Sequence, residues 1–414
     1  MPHRSLTAMR DAHGDVVRLR LGYSKSAVAI LSTSAAADFF KNHDLDFADR
    51  TVTQIMKVHG YDRGSVALAP YGPLVTVDML VAKRINASYP VRRKCVDDMI
   101  RWIGDESGSE IQVARFVFLT TFNLLGNLML SRDLLDPKSA EGKEFFTAMM
   151  GLMEWGGHAN VADIFPVLSW MDPQGLVRKM RRDLGKALEI ASRFVSDRIE
   201  DGKDKKKEWD KKDFLDVLLE FQGNGKDEPD EIFLAGSETT SSTTEWALTE
   251  LLRHPKLEES DIDSLPFLRA VVKETFRLHP PIPLLVPRRA IRDTKFMGYD
   301  IPKDTQVFVN AWSIGRDPDQ WVDPWSFKPE RFLDSKVDYA GQHYQFLPFG
   351  AGRRMCAGVP LAHRVLHLIL GTLLHEFSWE SKVDPMSLNM DDRLGITMRK
   401  SESLMVVPTK DRIM

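Results

Sequence analysis

One loop of this chain combines residue types suited to binding a metal. Cys356 is one of only two cysteines, and Arg353 and Arg354 stand just before it. Residues 360–374 have a helical pattern, so the cysteine precedes a helix N-terminus, whose partial positive charge favours a thiolate. A thiolate is a soft metal ligand. The alternative is an inert cysteine buried as a small apolar side chain. The glycines of the loop allow a tight turn and close approach of a flat, bulky group; they are Gly350, Gly352 and Gly358.

A second stretch, residues 235–244, places an acid beside many hydroxyl side chains inside a helix predicted over 232–253. Glycine, serine and threonine are poor helix formers, and such a conflict between propensity and context tends to mark function. The Thr239 hydroxyl is expected to donate to the Ala235 carbonyl one turn earlier, which loosens the helix and opens a groove. Glu238 stands beside it. The alternative is a surface helix whose hydroxyls face water.

A third pair, Glu274 and Arg277, has the i,i+3 spacing of neighbours on a helix predicted over 265–278. An exposed pair of this kind contributes about 0–1 kcal/mol and is usually incidental. The residue pattern alone therefore leaves its role open.

These residues must be positioned by a mainly helical scaffold with a small β region. Ser34 is predicted to cap a short helix. Apolar–polar alternation predicts a hairpin from residues 16–21 and 27–31, and later strands within 296–309 and 395–407. Periodicity predicts further helices over residues 91–103, 113–130, 141–155 and 177–200.

Composition limits the class of protein. The 414 residues are 43% hydrophobic, which is ample for a large core, and a net charge of −3 gives no reason to expect nucleic acid as a partner. Two cysteines far apart exclude a disulfide framework. No continuous apolar run of about 18 residues predicts a membrane-spanning helix, and the N-terminus does not look like a secretory signal.

The cysteine loop resembles the haem-binding signature of the cytochromes P450. Five fixed places of that signature are filled by Phe349, Gly352, Arg354, Cys356 and Gly358. The resemblance implies that Cys356 is the axial ligand of the iron of haem b, and that the other four residues surround this cofactor. A thiolate in that position favours O–O cleavage.

The resemblance extends along nearly the whole chain. Glu238 and Thr239 occupy the acid and threonine places of the oxygen-activation motif, which implies that they relay protons, and Ala235 lies one turn earlier beside the cofactor. Arg288 matches an arginine that reaches a haem propionate. Glu274 and Arg277 match the Glu-x-x-Arg element, with a third member, Arg331, in the Pro-Glu-Arg-Phe segment.

This family implies a fold, an activity and partners. The fold is a large α-rich part with a small β-rich region, expected as a single domain over residues 1–414. The activity is insertion of one oxygen atom from O₂ into a small hydrophobic molecule.

Residues 160–175 and 310–317 are similar to plant microsomal terpenoid hydroxylases, such as geraniol hydroxylases and ferruginol synthases. NADPH–cytochrome P450 reductase is the implied electron donor, and the cytosolic face of the endoplasmic reticulum the implied location. The chain is expected to lack the usual membrane anchor. Phe165, Leu168, Trp170 and Met171 are then expected to make a peripheral membrane contact.

Some expected segments have no counterpart. After Pro73 the family continues with a helix bearing Trp-x-x-x-Arg, whose side chains hold a haem propionate, and this chain has no such tryptophan. Similar breaks are expected near residues 230 and 256. Two alternatives therefore stay open: an impaired or non-catalytic haem-binding remnant, and a thiolate-haem isomerase or dehydratase that needs no O₂. The pair Glu238–Thr239 argues against the second.

Overall fold

The computed structural model of the chain describes residues 1–22, 25–65, 67–68, 71, 82–136, 139–202, 230–254 and 265–410. The expected breaks after Pro73 and near residue 256 lie outside these residues. The helices are α1 Pro2–Ala8, α2 Arg10–His13, α3 Thr33–Asn42, α4 Tyr61–Gly64, α5 Ala82–Ala87, α6 Tyr89–Gly104, α7 Val113–Leu130, α8 Ala140–Gly156, α9 Val161–Ile164, α10 Leu176–Gly202, α11 Asp230–Arg253, α12 Leu265–Leu278, α13 Ala311–Ile314 and α14 Val359–Glu376.

The helices predicted from periodicity are present, and their ends agree with the predictions to within two residues. One cap was assigned wrongly. Ser32, and not Ser34, caps α3: its backbone is extended, and its hydroxyl accepts a hydrogen bond from the Ala35 amide at 3.2 Å. Ser34 already lies inside the helix, where it cannot act as the N-cap.

In the part of the chain that the structure describes, the β region consists of short strands in sheets of two to five strands. The predicted hairpin is present and begins a five-stranded sheet in the order β1-β2-β8-β5-β3, in which only β2 and β8 run parallel. The other sheets pair β4-β12-β9, β6-β7 and β10-β11. The strands are β1 Val16–Leu21, β2 Lys25–Ile30, β3 Asp49–Arg50, β4 Ile111–Gln112, β5 Arg288–Arg289, β6 Thr294–Phe296, β7 Tyr299–Ile301, β8 Gln306–Val309, β9 Phe377–Glu380, β10 Asp392–Leu394, β11 Met398–Lys400 and β12 Met405–Lys410.

Helix α7 lies in the core and packs along α11. It is long and apolar enough to cross a membrane, although its apolar residues do not form one continuous run of about 18, and 72% of it is buried inside the protein. Burial of this degree is typical of a core helix. Its packing fixes α11, the helix that carries Glu238 and Thr239.

Helix α14, which follows the cysteine loop, packs against α11, α12 and α6. Its inward face buries Val365, Ile369 and Leu373 among other apolar side chains. The start of α14 is therefore held by the helical core, and the cysteine loop is held with it.

Candidate functional site

The cysteine loop is closed by its own backbone and anchored by aromatic packing. The amide of Cys356 donates to the carbonyl of Phe349 at 3.1 Å. The Phe349 ring packs edge-on against Phe276 of α12 and against Tyr339, with centroids 5.0 and 5.2 Å away. Phe349 therefore ties the loop to the helix that carries Glu274 and Arg277.

The thiol of Cys356 lies at the N-terminus of α14, as expected. It is exposed to solvent, yet protein atoms surround it closely enough that burial raises its pKa. Hydrogen bonds from the amides of Gly358 and Val359 act in the opposite direction. The predicted helix-terminus effect is thus present but smaller than the effect of burial. A bound metal cation would reverse the balance, because coordination deprotonates a thiol.

Asp44 anchors the loop from the other side, and the sequence pattern did not indicate this residue. Its carboxylate is 4% exposed and accepts from the Arg288 guanidinium, from the Arg353 amide at 2.8 Å and from the Arg353 side chain at 3.2 Å. Asp44 lies in an irregular segment between α3 and β3, more than 240 residues from these partners in sequence. Local periodicity carries no signal for such a contact.

Gly352 and Gly358 have different surroundings in the loop, and a side chain is sterically excluded only at Gly352. Gly352 has φ +70°, and a Cβ there would lie 2.6 Å from Asp44 Cγ, so only glycine fits. Gly358 has φ −79°, and a Cβ there would make an ordinary contact 3.6 Å from Cys356 Sγ. The described protein atoms therefore leave room at Gly358 on the side of the sulfur.

Arg288, which was expected to reach a haem propionate, lies against the loop, and Arg354 belongs to the loop itself. Arg288 in β5 is buried and donates to Asp44 and, at 2.8 Å, to the carbonyl of Ala351. Arg354 is half-buried, and Arg50 donates to its carbonyl at 3.5 Å. Arg288 thus also has a role in holding the loop, which the resemblance did not imply.

Over residues 235–250, helix α11 is buried except on one narrow face. The Thr239 hydroxyl donates to the Ala235 carbonyl at 2.6 Å, the bond predicted from the sequence. Ala235 is exposed and Thr239 half-exposed, whereas Ser237, Glu238 and residues 240–250 are buried. This face leaves space beside a core helix, which contradicts a surface helix with its hydroxyls in water.

Glu238 lies on a different, buried face of α11. Its carboxylate is 3.7 Å from Arg399 of β11. Burial raises the pKa of Glu238, and the charges of Arg399 and Arg393 only partly offset this. The side chain therefore holds a proton to higher pH than an ordinary glutamate does.

Glu274, Arg277 and Arg331 form one buried network, so an incidental surface pair is excluded. Arg277 donates to both oxygens of Glu274 at 2.8 and 2.7 Å, and both side chains are fully buried. Arg331 donates to the same carboxylate at 3.0 Å. Arg277 also donates to the carbonyls of Gly315, Pro324 and Ser326. The network joins α12 to the segment that precedes the cysteine loop.

The donor set fits a haem. Within the described residues, no group of three or more His, Cys, Asp and Glu side chains is placed to hold a metal ion. A single thiol with amide donors, an exposed Ala235 on a core helix and buried arginines at the loop suit a flat, anionic iron cofactor.

This combination defines a haem-thiolate protein. The family model for "Cytochrome P450" matches residues 1–406, and the chain belongs to that family. It is accordingly an oxidoreductase of the haem monooxygenase class, and its cofactor is protoporphyrin IX haem. The family implies a redox partner that supplies electrons, together with a substrate and O₂.

Plant enzymes are among its similar relatives. The chain is 53% identical to "Cytochrome P450 76A2" of Solanum melongena, over 99% of this chain and 89% of the relative. It is 44% identical to an iridoid oxidase of Catharanthus roseus, over 99% and 88%. It is 37% identical to a geraniol 8-hydroxylase of the same plant, over 99% and 90%.

The fold and the missing segments are both visible in these comparisons. A zebrafish cytochrome P450 structure with progesterone has a TM-score of 0.80 at 24% identity and covers 99% of each chain, which confirms the mainly α fold. The alignment with the Solanum relative runs over 454 positions, against 414 residues in the whole chain. That relative therefore has at least 40 residues in this region without counterparts here, as the sequence indicated.

Proposed function

We propose that this protein binds haem b through Cys356 and hydroxylates a small terpenoid, or a similar apolar plant metabolite, with electrons from NADPH–cytochrome P450 reductase. The observation that carries the proposal is the Cys356 thiol, placed at the N-terminus of α14 in a loop held by Asp44 and Phe349. Bound haem supplies the activation of O₂. The protein supplies the site, the protons and the exclusion of water.

In this proposal the loop residues hold the cofactor. Arg354 and Arg288 provide charge-assisted donors for the propionates, and such donors suit carboxylates. Gly358 leaves room beside the sulfur, and Gly352 allows the turn that presents it. Ala235 and Phe349 are the apolar contacts, one from α11 and one from the loop itself.

The ligand assignment is tested by the carbon monoxide difference spectrum of the reduced protein. The wild type is expected to show the red-shifted Soret band of thiolate-ligated haem, and Cys356→Ser is expected to lose it. Cys95→Ala is the matched control, because Cys95 is buried in the core and burial raises its pKa to about 12. A thiolate spectrum that survives Cys356→Ser would refute the assignment.

Glu238 and Thr239 are proposed to deliver protons. Glu238 is a buried acid with a raised pKa, and Thr239 is the half-exposed hydroxyl next to it. Thr239→Ala is expected to leave haem uptake intact and to divert electrons to peroxide, so less product forms per NADPH. Thr244→Ala is the matched control, since Thr244 makes the same kind of bond, to Thr240, on the buried side. If Thr239→Ala forms as much product per NADPH as the control Thr244→Ala and the wild type do, the proton role of Thr239 is contradicted.

Support for a terpenoid substrate comes from the relatives. An iridoid oxidase and a geraniol hydroxylase cover 99% of the chain. A panel of monoterpene alcohols and iridoids, incubated with reductase and NADPH, is expected to give mono-oxygenated products. Omission of O₂ separates this activity from an isomerase or dehydratase, which would still form product.

The connector between α9 and α10 is proposed to contact the cytosolic face of the endoplasmic reticulum membrane. Trp170 is 82% exposed, and Phe165 and Met171 also reach solvent, with Leu168 half-buried beside them. Aromatic rings are favoured at the membrane interface. Changing these four residues to Ser is expected to weaken flotation with liposomes. Val322→Ser, at an exposed apolar residue elsewhere, is the control. Unchanged flotation of the fourfold variant would refute the contact.

A further inference from the structure

A cavity of about 380 Å³, lined by both polar and apolar side chains, runs along the buried side of α11, away from the Ala235–Thr239 face. Its walls come from α7, α8, α10 and the hairpin of β10 and β11. At roughly 30 Å³ per water molecule, a cavity of this size has room for about a dozen waters. Both charged and hydroxyl side chains line it, so it is suited to hold water.

The α11 wall of the cavity is a continuous polar stripe. Glu238, Ser241, Ser242 and Glu245 all line the cavity and are all buried. Their spacing of three, four and seven residues puts them on one face of the helix. The two acids are two turns apart, about 10 Å along the axis at 1.5 Å per residue. Part of the hydroxyl-rich stretch that a helix disfavours therefore belongs to this cavity.

The opposite wall is basic, and the cavity reaches the surface. Arg399 lies 3.7 Å from Glu238 and 3.9 Å from Glu154, so its charge is shared between two carboxylates. Arg393, Ser401 and Ser403 line the cavity and are exposed. Bulk water therefore meets the cavity at one end, and the buried Glu238 lies inside it.

We propose that Glu245 is a second acid of the proton path, which reloads Glu238 through the water of this cavity, and that Arg399 is the positioning residue for the Glu238 carboxylate. The inference rests on the proposed proton role of Glu238 and Thr239 and adds the source of their protons.

Each step of this path moves one proton, and no electron or other group is transferred. Glu238 gives up a proton towards Thr239 and becomes a carboxylate, which Arg399 stabilises. A cavity water then passes the Glu245 proton to Glu238, and bulk water reprotonates Glu245 through the exposed end. One Glu245 oxygen accepts from the Leu404 amide at 2.8 Å, which holds the side chain in place. Burial raises the pKa of Glu245 to about 7, so both of its protonation states are populated near neutral pH.

Charged groups on the surrounding elements set this balance. Glu238 and Glu245 disfavour each other's ionised form across the stripe, and Lys400 and Arg399 favour that of Glu245. On the cavity side, α7 and the residue before it contribute only the uncharged Ala114 and Gln112. The remaining charged cavity residues are Arg393, Glu154, Arg182 and Asp183.

Infrared spectroscopy tests the cavity independently of turnover. The purified wild-type protein is expected to show a protonated-carboxyl band that titrates near neutral pH and shifts within minutes of transfer to D₂O. Glu245→Gln is expected to remove this band. Glu250→Gln is the matched control, because Glu250 lies on the same helix but is held by His279 outside the cavity. A band that fails to exchange in the wild type, or that keeps its full wild-type intensity in Glu245→Gln, would overturn the proposal.

Turnover measurements then distinguish an error in the role of Glu245 from an error in the role of Thr239. Glu245→Gln is expected to keep the carbon monoxide spectrum, to lower product per NADPH severalfold and to raise the solvent isotope effect, whereas Glu250→Gln changes none of these. If Thr239→Ala uncouples turnover and Glu245→Gln does not, Glu245 is not the second acid of the proton path and the proposed function stands. If neither variant uncouples turnover, the proton role of Thr239 is itself wrong. Should Glu245→Gln fail to fold, the wild-type exchange measurement decides.

Discussion

At position 352 the loop turns with φ +70° directly against the Asp44 carboxylate. A residue with a side chain in this conformation is strained by about 1–3 kcal/mol, and here it would also displace the carboxylate. That carboxylate binds both Arg288 and Arg353, so a single shift would loosen β5 and the loop together. The need for glycine at position 352 thus comes from a residue that is remote in sequence.

Gly352→Ala is therefore expected to lower the free energy of unfolding by about 1–3 kcal/mol or more and to weaken haem retention. Gly298→Ala is the control, since Gly298 also has positive φ (+83°) but has open space around its Cβ position. Urea denaturation of both variants measures the difference. Equal losses in the two would mean that contact with Asp44 contributes nothing.

The raised pKa of Glu245 predicts how the free energy of unfolding changes with pH. Its folded pKa of about 7 lies above the ordinary value of 4.5, so the folded protein binds the proton more tightly than the unfolded chain. Its contribution to stability is full below pH 4.5 and falls as pH rises towards 7, by at most ~1.4 kcal/mol per unit. Glu245→Gln is thus expected to gain stability relative to wild type between pH 5 and 7.5.

Glu250→Gln is expected to show the opposite trend. Burial alone would raise the pKa of Glu250, but the hydrogen bond from His279 and its charge bring it below the usual range. The wild-type carboxylate therefore stabilises the fold at neutral pH and less so in acid. Because the folded pKa of Glu250 lies below the ordinary value of 4.5, its contribution is lost only as the pH falls below that value. Thermal unfolding of both variants from about pH 3 to about pH 7.5 measures the two slopes, and parallel slopes would contradict the assignment.

At the scale of elements, α11 presents two different faces, one partly exposed at Ala235 and Thr239 and one lining the cavity. Thr239, Thr240, Thr243 and Thr244 each donate to a carbonyl four residues earlier, which satisfies their hydroxyls inside a buried helix. The sequence predicted the helix and the bond of Thr239 because both are local. It did not predict the cavity, whose lining residues are spread along the chain from Gln112 to Ser403.

Helix α12 is held by the Glu274 carboxylate, which neutralises two arginines. Glu274→Gln leaves Arg277 and Arg331 without their counter-charge in a buried site, which is expected to cost about 3–5 kcal/mol of unfolding free energy. Lys295→Ala removes an exposed ion pair with Asp300 and is expected to cost less than about 1 kcal/mol. Chemical denaturation compares them, and similar small losses would show that the network is not structural.

Across the whole molecule, the positions of the helices could be predicted from the sequence, but the contacts between distant segments could not. Periodicity located α7, α11 and α14 because burial imposes a repeat on each helix separately. The cysteine motif was recognisable because its five residues lie within ten positions. Asp44 with Arg288, and Glu238 with Arg399, are contacts between distant segments, and no local pattern specifies them. The carboxylate of Asp44 and the cavity of Glu245 became visible only in three dimensions.

The last prediction concerns a segment that the resemblance to the family leads us to expect and that has no counterpart in this sequence. The expected Trp-x-x-x-Arg helix belongs after Pro73, outside the described residues, and its arginine would donate to a haem propionate. A charged donor of this kind contributes about 1.5–3 kcal/mol, which corresponds to roughly 10- to 100-fold in affinity. Inserting the matching segment of the Solanum relative after Pro73 is therefore expected to tighten haem binding by that factor.

Haem titration of the purified apoprotein measures the gain, with turnover as a second measurement. Restoring the relative's segment near residue 256 is the control, because no propionate donor is expected from that segment. If both insertions leave affinity unchanged, then the arginines already present, Arg288 and Arg354, suffice to hold the propionates. The buried position of Arg288 and its bond to Asp44 argue against that outcome, because a guanidinium already engaged in holding the loop has fewer donors left for a cofactor.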